Sequence, residues 1–376
     1  MIPPALQPEE IIAELQAVGS AYAEKKPGAR EQLLNLSHAL IASLELPSET
    51  IQRMAFAEPA RAAHCRIAVE LKLFEYLKES GPDGISSQDL AAKADAHEVL
   101  ISRMMKHLAA MNTIHEKSPD IYVSSPFSEA LTEPKHRDGI IYTYDVAGPP
   151  LRGLPEYLKS IKYDLPTDLT DGPFQAAHKT QLPFFAWIDQ NPPYLQLFNS
   201  YMSGYRAGKP SWVDPDFYPV ADRLAKPFDP SISEVLLVDI GGGLGHDLVE
   251  LKAKHPTLPG KLVLQDRPEP VRGARAYYLH SVLHDWSDDD CVKILEQLKP
   301  AMEPGYSKLL ISEIVVPRQN ATWPVTVVDQ VMLILVAMQE RTESQWENIL
   351  KRAGFRIQKI YRYEVGTESL IEAEME

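Results

Sequence analysis

The sequence predicts an α/β protein, with a doubly wound sheet in its C-terminal half and a helical N-terminal part. Three observations carry this. From Ser231 onward, short apolar runs alternate with charged helical patterns, the texture of a parallel sheet wrapped by helices. One of those runs opens directly into a glycine-rich turn, Gly241-Gly242-Gly243-Leu244-Gly245, and then into a helix. Earlier in the chain helical patterns and one polar hairpin dominate. At 376 residues the chain exceeds one ordinary core, so two domains are expected, 1–140 and 141–376.

Bulk properties narrow the function. Hydrophobic residues make up 44% and charged residues 24%, as in a soluble globular protein. A formal net charge of −14 repels phosphate backbones and argues against nucleic acid as a partner. Cys65 and Cys291 stand far apart with no ligand-like spacing, so neither a disulfide framework nor a metal site is expected. The first twenty residues carry Glu9, Glu10 and Glu14 where a signal peptide has basic residues and an apolar run. No window approaches the roughly 20 apolar residues that span a bilayer. A cytoplasmic protein with no membrane partner is the expectation.

In the N-terminal part, weak helical patterns cover Ile11–Val18 and Glu31–Leu44. A stronger helix places Ile67, Leu71, Phe74 and Leu77 on one face. Gly81-Pro82-Asp83-Gly84 ends it in a turn. A short helix from Ser86 to Ala92, a second over Val99–Met111 and a polar hairpin over Ile114–Val123 follow in the order of a winged helix. Residues 86–112 balance Lys93, Arg103 and Lys106 against Asp89, Asp95 and Glu98, which lacks the basic surplus of a DNA reader. Packing or dimerisation is the favoured role. Residues 144–176, rich in Pro and Gly, read as a connector, and two aromatic-rich helices follow over Thr180–Gln190 and Tyr194–Arg206.

The glycine turn separates two cofactor classes. Val235–Ile240 is an apolar run with Asp239 near its end, as a buried parallel strand would be. A dinucleotide fingerprint starting at Gly241 needs a third glycine at position 246, which is histidine. The pattern is instead Asp239-x-Gly241-x-Gly243-x-Gly245, and Asp266 closes the next run, Lys261–Gln265. Two acids at adjacent strand ends suit a ligand with a cationic amino group and a ribose diol, hence S-adenosyl-L-methionine. They suit a diphosphate poorly, and a plain tight turn is the alternative.

Ala274–Leu283 reads as another strand, ending in His284-Asp285-Trp286 on the rim where open parallel sheets bind ligands. Methyl transfer from a sulfonium to a phenol requires removal of the phenolic proton, and imidazole suits that task at neutral pH. A cap for the helix Asp288–Met302 is the other reading of His284. Glu313 ends the strand Leu309–Ser312, and Glu340 precedes a helix whose Thr342 and Gln345 have capping-box spacing. A carboxylate on one ring nitrogen fixes the tautomer and stabilises the imidazolium.

Together, Asp239–Gly245, His284-Asp285-Trp286-Ser287-Asp288, Glu313 and Glu340-Arg341-Thr342 resemble the plant caffeic-acid and fungal polyketide O-methyltransferases. Phe198-Asn199-x-Tyr201-Met202 and Gly243-Leu244-Gly245-His246-Asp247 point to the fungal branch. The resemblance spans roughly residue 55 to the end. It implies a Rossmann-like methyltransferase domain and a homodimer joined through the N-terminal helices and winged helix. It implies His284 as general base, with Glu313 and Glu340 orienting it. Asp266 would take the ribose, the glycine turn the methionine moiety, Asp285 a further cofactor contact, and Met202 the junction of donor and acceptor. Phe184, Phe185, Trp187, Phe198, Met332 and Met338 would wall an apolar pocket for a small aromatic or polyketide-type substrate; ordinary core packing is the alternative for each.

One segment departs from that pattern. Only seven residues, Arg267–Gly273, separate Asp266 from Ala274, where the family places a helix and an edge strand. The connection must return along a strand and step sideways two strand spacings, roughly 22 Å in all. Eight extended steps reach about 26–29 Å, so it fits only without a helix. Either the segment is a true deletion that opens the adenine side, or residues are omitted from the sequence. Three functions follow: O-methyl transfer; other chemistry on the same fold, such as a pericyclase or dehydratase using the cofactor as a fixed cation; or a catalytically impaired dimeric binding protein.

Overall fold

The computed structural model describes residues 7–205, 209–215, 217–265, 271–362 and 368–376. Its chain divides into two compact units, one of Ile2–Gly153 with Leu182–Ala207, the other of Leu154–Gln181 with Gly208–Glu376.

The first unit is mostly helical. Helices Pro8–Ala23 and Ala29–Leu44 pack on each other and leave Ile12, Leu34, Ile41 and Leu44 exposed. The helix expected through Ile67, Leu71, Phe74 and Leu77 is two helices, Glu58–Glu70 and Leu73–Ser80, broken where Lys72 adopts a left-handed φ of 56°. Ile67 is exposed, while Cys65, Ala68 and Val69 line the core in its place. A left-handed lysine costs about 1–2 kcal/mol. Turning Leu73, Phe74 and Leu77 fully inward returns more than that. Strand β1 (Ile85–Ser86), helices Ser87–Lys93 and Glu98–Ala110, and strands β2 (His115–Ser118) and β3 (Ile121–Val123) then follow, forming a small sheet in the order β1-β3-β2.

The stretch 144–176 is not a connector. A π-turn over Thr143–Ala147 joins helix Pro134–Tyr142 to helix Gly148–Ser160, and a further helix spans Pro173–His178. Pro149 and Pro150 follow directly on the π-turn, which the Gly148 N–H closes by donating to the Thr143 carbonyl, and Pro155 lies inside the helix beyond. Proline counting alone had hidden this. The aromatic helices span Phe184–Gln190 and Tyr194–Tyr205.

The second unit is built on a six-stranded sheet. Its strands are β4 (Val235–Ile240), β5 (Lys261–Gln265), β6 (Ala276–His280), β7 (Lys308–Glu313), and, beyond the short β8 (Val315–Val316) and β9 (Arg341–Thr342), β10 (Phe355–Tyr361) and β11 (Ser369–Met375). The order is β10-β11-β7-β6-β4-β5; β4 to β7 run parallel, and β11 pairs antiparallel with both β7 and β10. Period-two alternation divides the core between the faces. Val238, Tyr277, Leu279 and Ile311 lie with Trp346 and Leu350 in one cluster, and Leu237, Tyr278 and Leu310 with Trp212 and Leu251 in the other.

β6 lies two places from β5, across β4, as the short connection requires. Among the described residues no strand pairs with the outer side of β5. β6 ends at His280, not at Leu283, so His284 does not sit on a strand end; it lies on a one-turn 3-10 helix, Leu283–Asp285. No helix among the described residues is long and apolar enough to cross a membrane.

Candidate active site

Three local features assemble the site. β7 delivers Glu313 as its last residue, and the chain between β6 and helix Asp288–Leu298 forms the turn that carries His284. The two-rung parallel ladder of β8 with β9, Val315↔Arg341 and Val316↔Thr342, then draws Glu340 alongside Glu313. Gln345 holds that corner by accepting from the Thr342 backbone N–H at 2.9 Å, the capping interaction its spacing indicated.

The turn is gripped on both sides. Glu313 Oε1 accepts the backbone N–H groups of Val282, Leu283 and His284 at 3.1, 2.9 and 3.3 Å. Arg341, only 1% exposed, donates to the carbonyls of Leu283 at 2.9 Å and Trp286 at 2.6 Å and to Asp288 Oδ1 at 2.8 Å. Its guanidinium also lies over the Trp346 ring. Neither grip was anticipated from the sequence, although Arg341 follows Glu340 directly.

Within this frame the His284 Nδ1 meets Glu340 Oε1 at 2.8 Å, with Glu313 Oε2 at 3.5 Å. The two glutamates thus differ: one hydrogen-bonds the ring, and the other mainly fixes the backbone beneath it. Asp329 Oδ1 accepts the Glu340 backbone N–H at 2.9 Å. At the far side of the ring, Nε2 is 3.7 Å from Asp285 Oδ1, beyond hydrogen-bonding range. Both glutamate side chains are fully buried, and the imidazole keeps 12% exposure. Burial opposes charge on His284, but Glu313, Glu340 and Asp285 outweigh it and push the ring up to about 10. Burial pushes the carboxyls of Glu313 and Asp285 above the usual carboxylate range.

The glycine turn joins β4 to helix His246–Lys254. Gly241 and Gly245 have φ of +73° and +77°. A Cβ on Gly242 would stand 2.2 Å from Asp239 Oδ2, so the backbone passes where no side chain fits. Asp239 is fully buried, and neither carboxylate oxygen has a hydrogen-bond partner among the described residues. Burial first, and then the nearby charge of Asp247, push it up to about 7. Such an orphaned carboxylate fits a ligand bearing a cationic amino group.

Sequence reasoning missed a second histidine here. His280 Nδ1 lies 2.5 Å from Asp247 Oδ2, and its Nε2 lies 3.3 Å from Glu368 Oε2. A histidine four residues before His284 and an acid two residues past the last glycine were the available signals.

The remaining candidates divide between the units. Asp266 lies outside the described residues. Phe184, Phe185 and Phe198 form an edge-to-face cluster in the helical unit, where Trp187 stacks on Tyr194 and Met202 is exposed. Met332 belongs to helix Trp323–Val336 of the sheet unit, and the Met338 N–H donates to its carbonyl at 3.2 Å.

Comparison with known proteins agrees with this architecture. A family model described as an O-methyltransferase domain matches residues 260–356, and one described as an O-methyltransferase dimerisation domain matches residues 63–134. The O-methyltransferase mpaG of Penicillium brevicompactum is 43% identical over 396 aligned positions, covering 99% of each chain. As 99% of 376 residues is about 372, about 24 of those positions have no counterpart here. A solved structure titled "A Pericyclic Reaction enzyme" superposes with a TM-score of 0.89 at 26% identity, covering 98% of this chain and 100% of that one. LepI in complex with SAM gives 0.88 at 26% identity, covering 98% and 99%. The chain belongs to the O-methyltransferase family, with its dimerisation domain preceding the transferase domain.

Proposed function

We propose that the chain transfers a methyl group from S-adenosyl-methionine to a hydroxyl of a small aromatic or polyketide-type acceptor, with His284 as the general base. The observation that carries this is the 2.8 Å contact of Nδ1 with the buried carboxylate of Glu340, which leaves Nε2 to receive a proton.

S-adenosyl-methionine, when bound, supplies an electrophilic methyl group on a sulfonium. Asp239 and the turn at Gly241, Gly243 and Gly245 are the residues suited to hold it, with Asp266 and Asp285 as further contacts. His284 takes the acceptor's hydroxyl proton at Nε2, Glu340 stabilises the imidazolium that results, and Glu313 keeps the turn in place. Because the surrounding carboxylates favour the charged ring, His284 must shed a proton before it can act. Met332 and Met338 of the sheet unit are proposed as acceptor contacts. The dimerisation domain, read as a winged helix, and its exposed apolar residues support a homodimer.

Purified protein given labelled donor and a panel of phenols should transfer label, and His284→Ala should abolish transfer while donor binding persists. A second reading, pericyclic chemistry, is favoured by the likeness to the pericyclic enzyme. Donor binding without label transfer to any phenol would decide for it.

A further inference from the structure

The cluster around His284 has the make-up of a site for a divalent metal ion. His284, Glu313 and Glu340 each offer a donor atom, all within 4.8 Å of one another. Nδ1 is 2.8 Å from Glu340 Oε1 and 3.5 Å from Glu313 Oε2. Ligands placed roughly 2.0–2.1 Å from a tetrahedral zinc ion stand about 3.3 Å apart. The two separations from His284 bracket that value, and all three donor atoms lie within 4.8 Å of one another, so the two glutamates would have to close by at most about 1.5 Å to admit an ion.

A second observation points the same way. Glu313 Oε2 and Glu340 Oε2 are buried and have no hydrogen-bond partner among the described residues. Both oxygens belong to carboxylates that flank the same imidazole, and no described residue donates a hydrogen bond to either. With the ring neutral, the two carboxylates leave two negative charges for a dication to balance. One imidazole and two carboxylates form a borderline donor set that suits zinc better than calcium or magnesium, which favour all-oxygen shells.

We propose that His284, Glu313 and Glu340 form a reversible inhibitory site for zinc or a similar transition-metal dication. The proton shared between Nδ1 and Glu340 leaves to solvent as the ion binds. An imidazole metallated at Nδ1 carries its hydrogen on Nε2, so it has no lone pair for an acceptor's proton. The inhibitory role rests on the proposed function; the binding itself does not.

The test is titration of metal-free protein with Co²⁺, read by its visible d–d absorption, beside Zn²⁺ calorimetry. One ion per chain is expected. Binding should weaken more than about 100-fold in Glu340→Gln and vanish in His284→Ala, both checked as folded by circular dichroism. Absence of a cobalt band, or binding that both variants leave unaltered, overturns the site. Zinc should also stop methyl transfer and EDTA should restore it; full activity with zinc bound overturns the inhibition. Binding is read without donor or acceptor, so a chain that binds cobalt but methylates nothing contradicts the proposed function and leaves the metal site standing.

Discussion

Replacing Glu340 by glutamine keeps the size of the side chain and removes the charge 2.8 Å from His284 Nδ1. A hydrogen bond to a charged group contributes about 1.5–3 kcal/mol. At 1.36 kcal/mol per unit, its loss lowers the affinity of the ring for its proton by about 1–2 pH units. The direction is fixed by geometry: a carboxylate stabilises imidazolium, and an amide does not. Two effects on rate then oppose each other. The free base becomes available at lower pH, yet the imidazolium formed during transfer loses its partner and the tautomer is no longer imposed. General-base catalysis is worth roughly 10²–10⁴-fold, and most of that should disappear at the alkaline plateau. Initial rates at saturating donor, measured from acid to alkaline pH, separate the two. Wild-type activity should rise with pH, and the limb of Glu340→Gln should lie about 1–2 units lower beneath a much reduced plateau. A limb that stays put or moves upward, or a plateau within a few-fold of wild type, refutes the reasoning.

Three further outcomes are expected. Arg341→Ala removes the donor to two turn carbonyls and to Asp288; it should destabilise the fold by about 3–5 kcal/mol in denaturant melts and lower kcat more than it raises KM. Gly242→Ala puts a methyl group against the Asp239 carboxylate and should abolish donor binding in calorimetry without unfolding the helical unit. Asp239, held at about 7, must be charged to grip a cationic amino group, so affinity for S-adenosyl-homocysteine should climb from pH 6 to pH 8 and flatten above. In the donor-free protein the sign reverses. A carboxyl raised on folding favours the fold at low pH, and that advantage is lost as pH rises toward 7, so Asp239→Asn should melt higher than wild type at alkaline pH.

Much of the sheet unit was legible because buried parallel strands write themselves as apolar runs. β4 and β5 span the residues their runs indicated, and the glycine turn with its acid lies between β4 and its helix. What stayed hidden depends on backbone geometry that side-chain periodicity does not encode. The spacing of Ile67, Leu71, Phe74 and Leu77 is helical whether or not Lys72 turns left-handed. His284 was placed at a strand end because Ser281–Leu283 are as acceptable in a strand as in a tight turn. Glu313 and Glu340 were matched to the ring by residue type, but the ladder of only two rungs that brings them together leaves no pattern in the sequence. The backbone grips of Glu313 and Arg341 use peptide groups, which every residue carries alike.

With its amides tied to Glu313 and its carbonyls to Arg341, the turn from Val282 to Trp286 is set before any acceptor arrives. Ordering a side chain during association costs about 0.5–1.5 kcal/mol, and this protein is spared that at every turnover. The His284 backbone also stays in one place whatever molecule is presented. Choice among acceptors can therefore drift through substitutions elsewhere, with the chemistry left intact. Under the proposed function, a lineage built on this arrangement can diversify its products while inheriting one unaltered base.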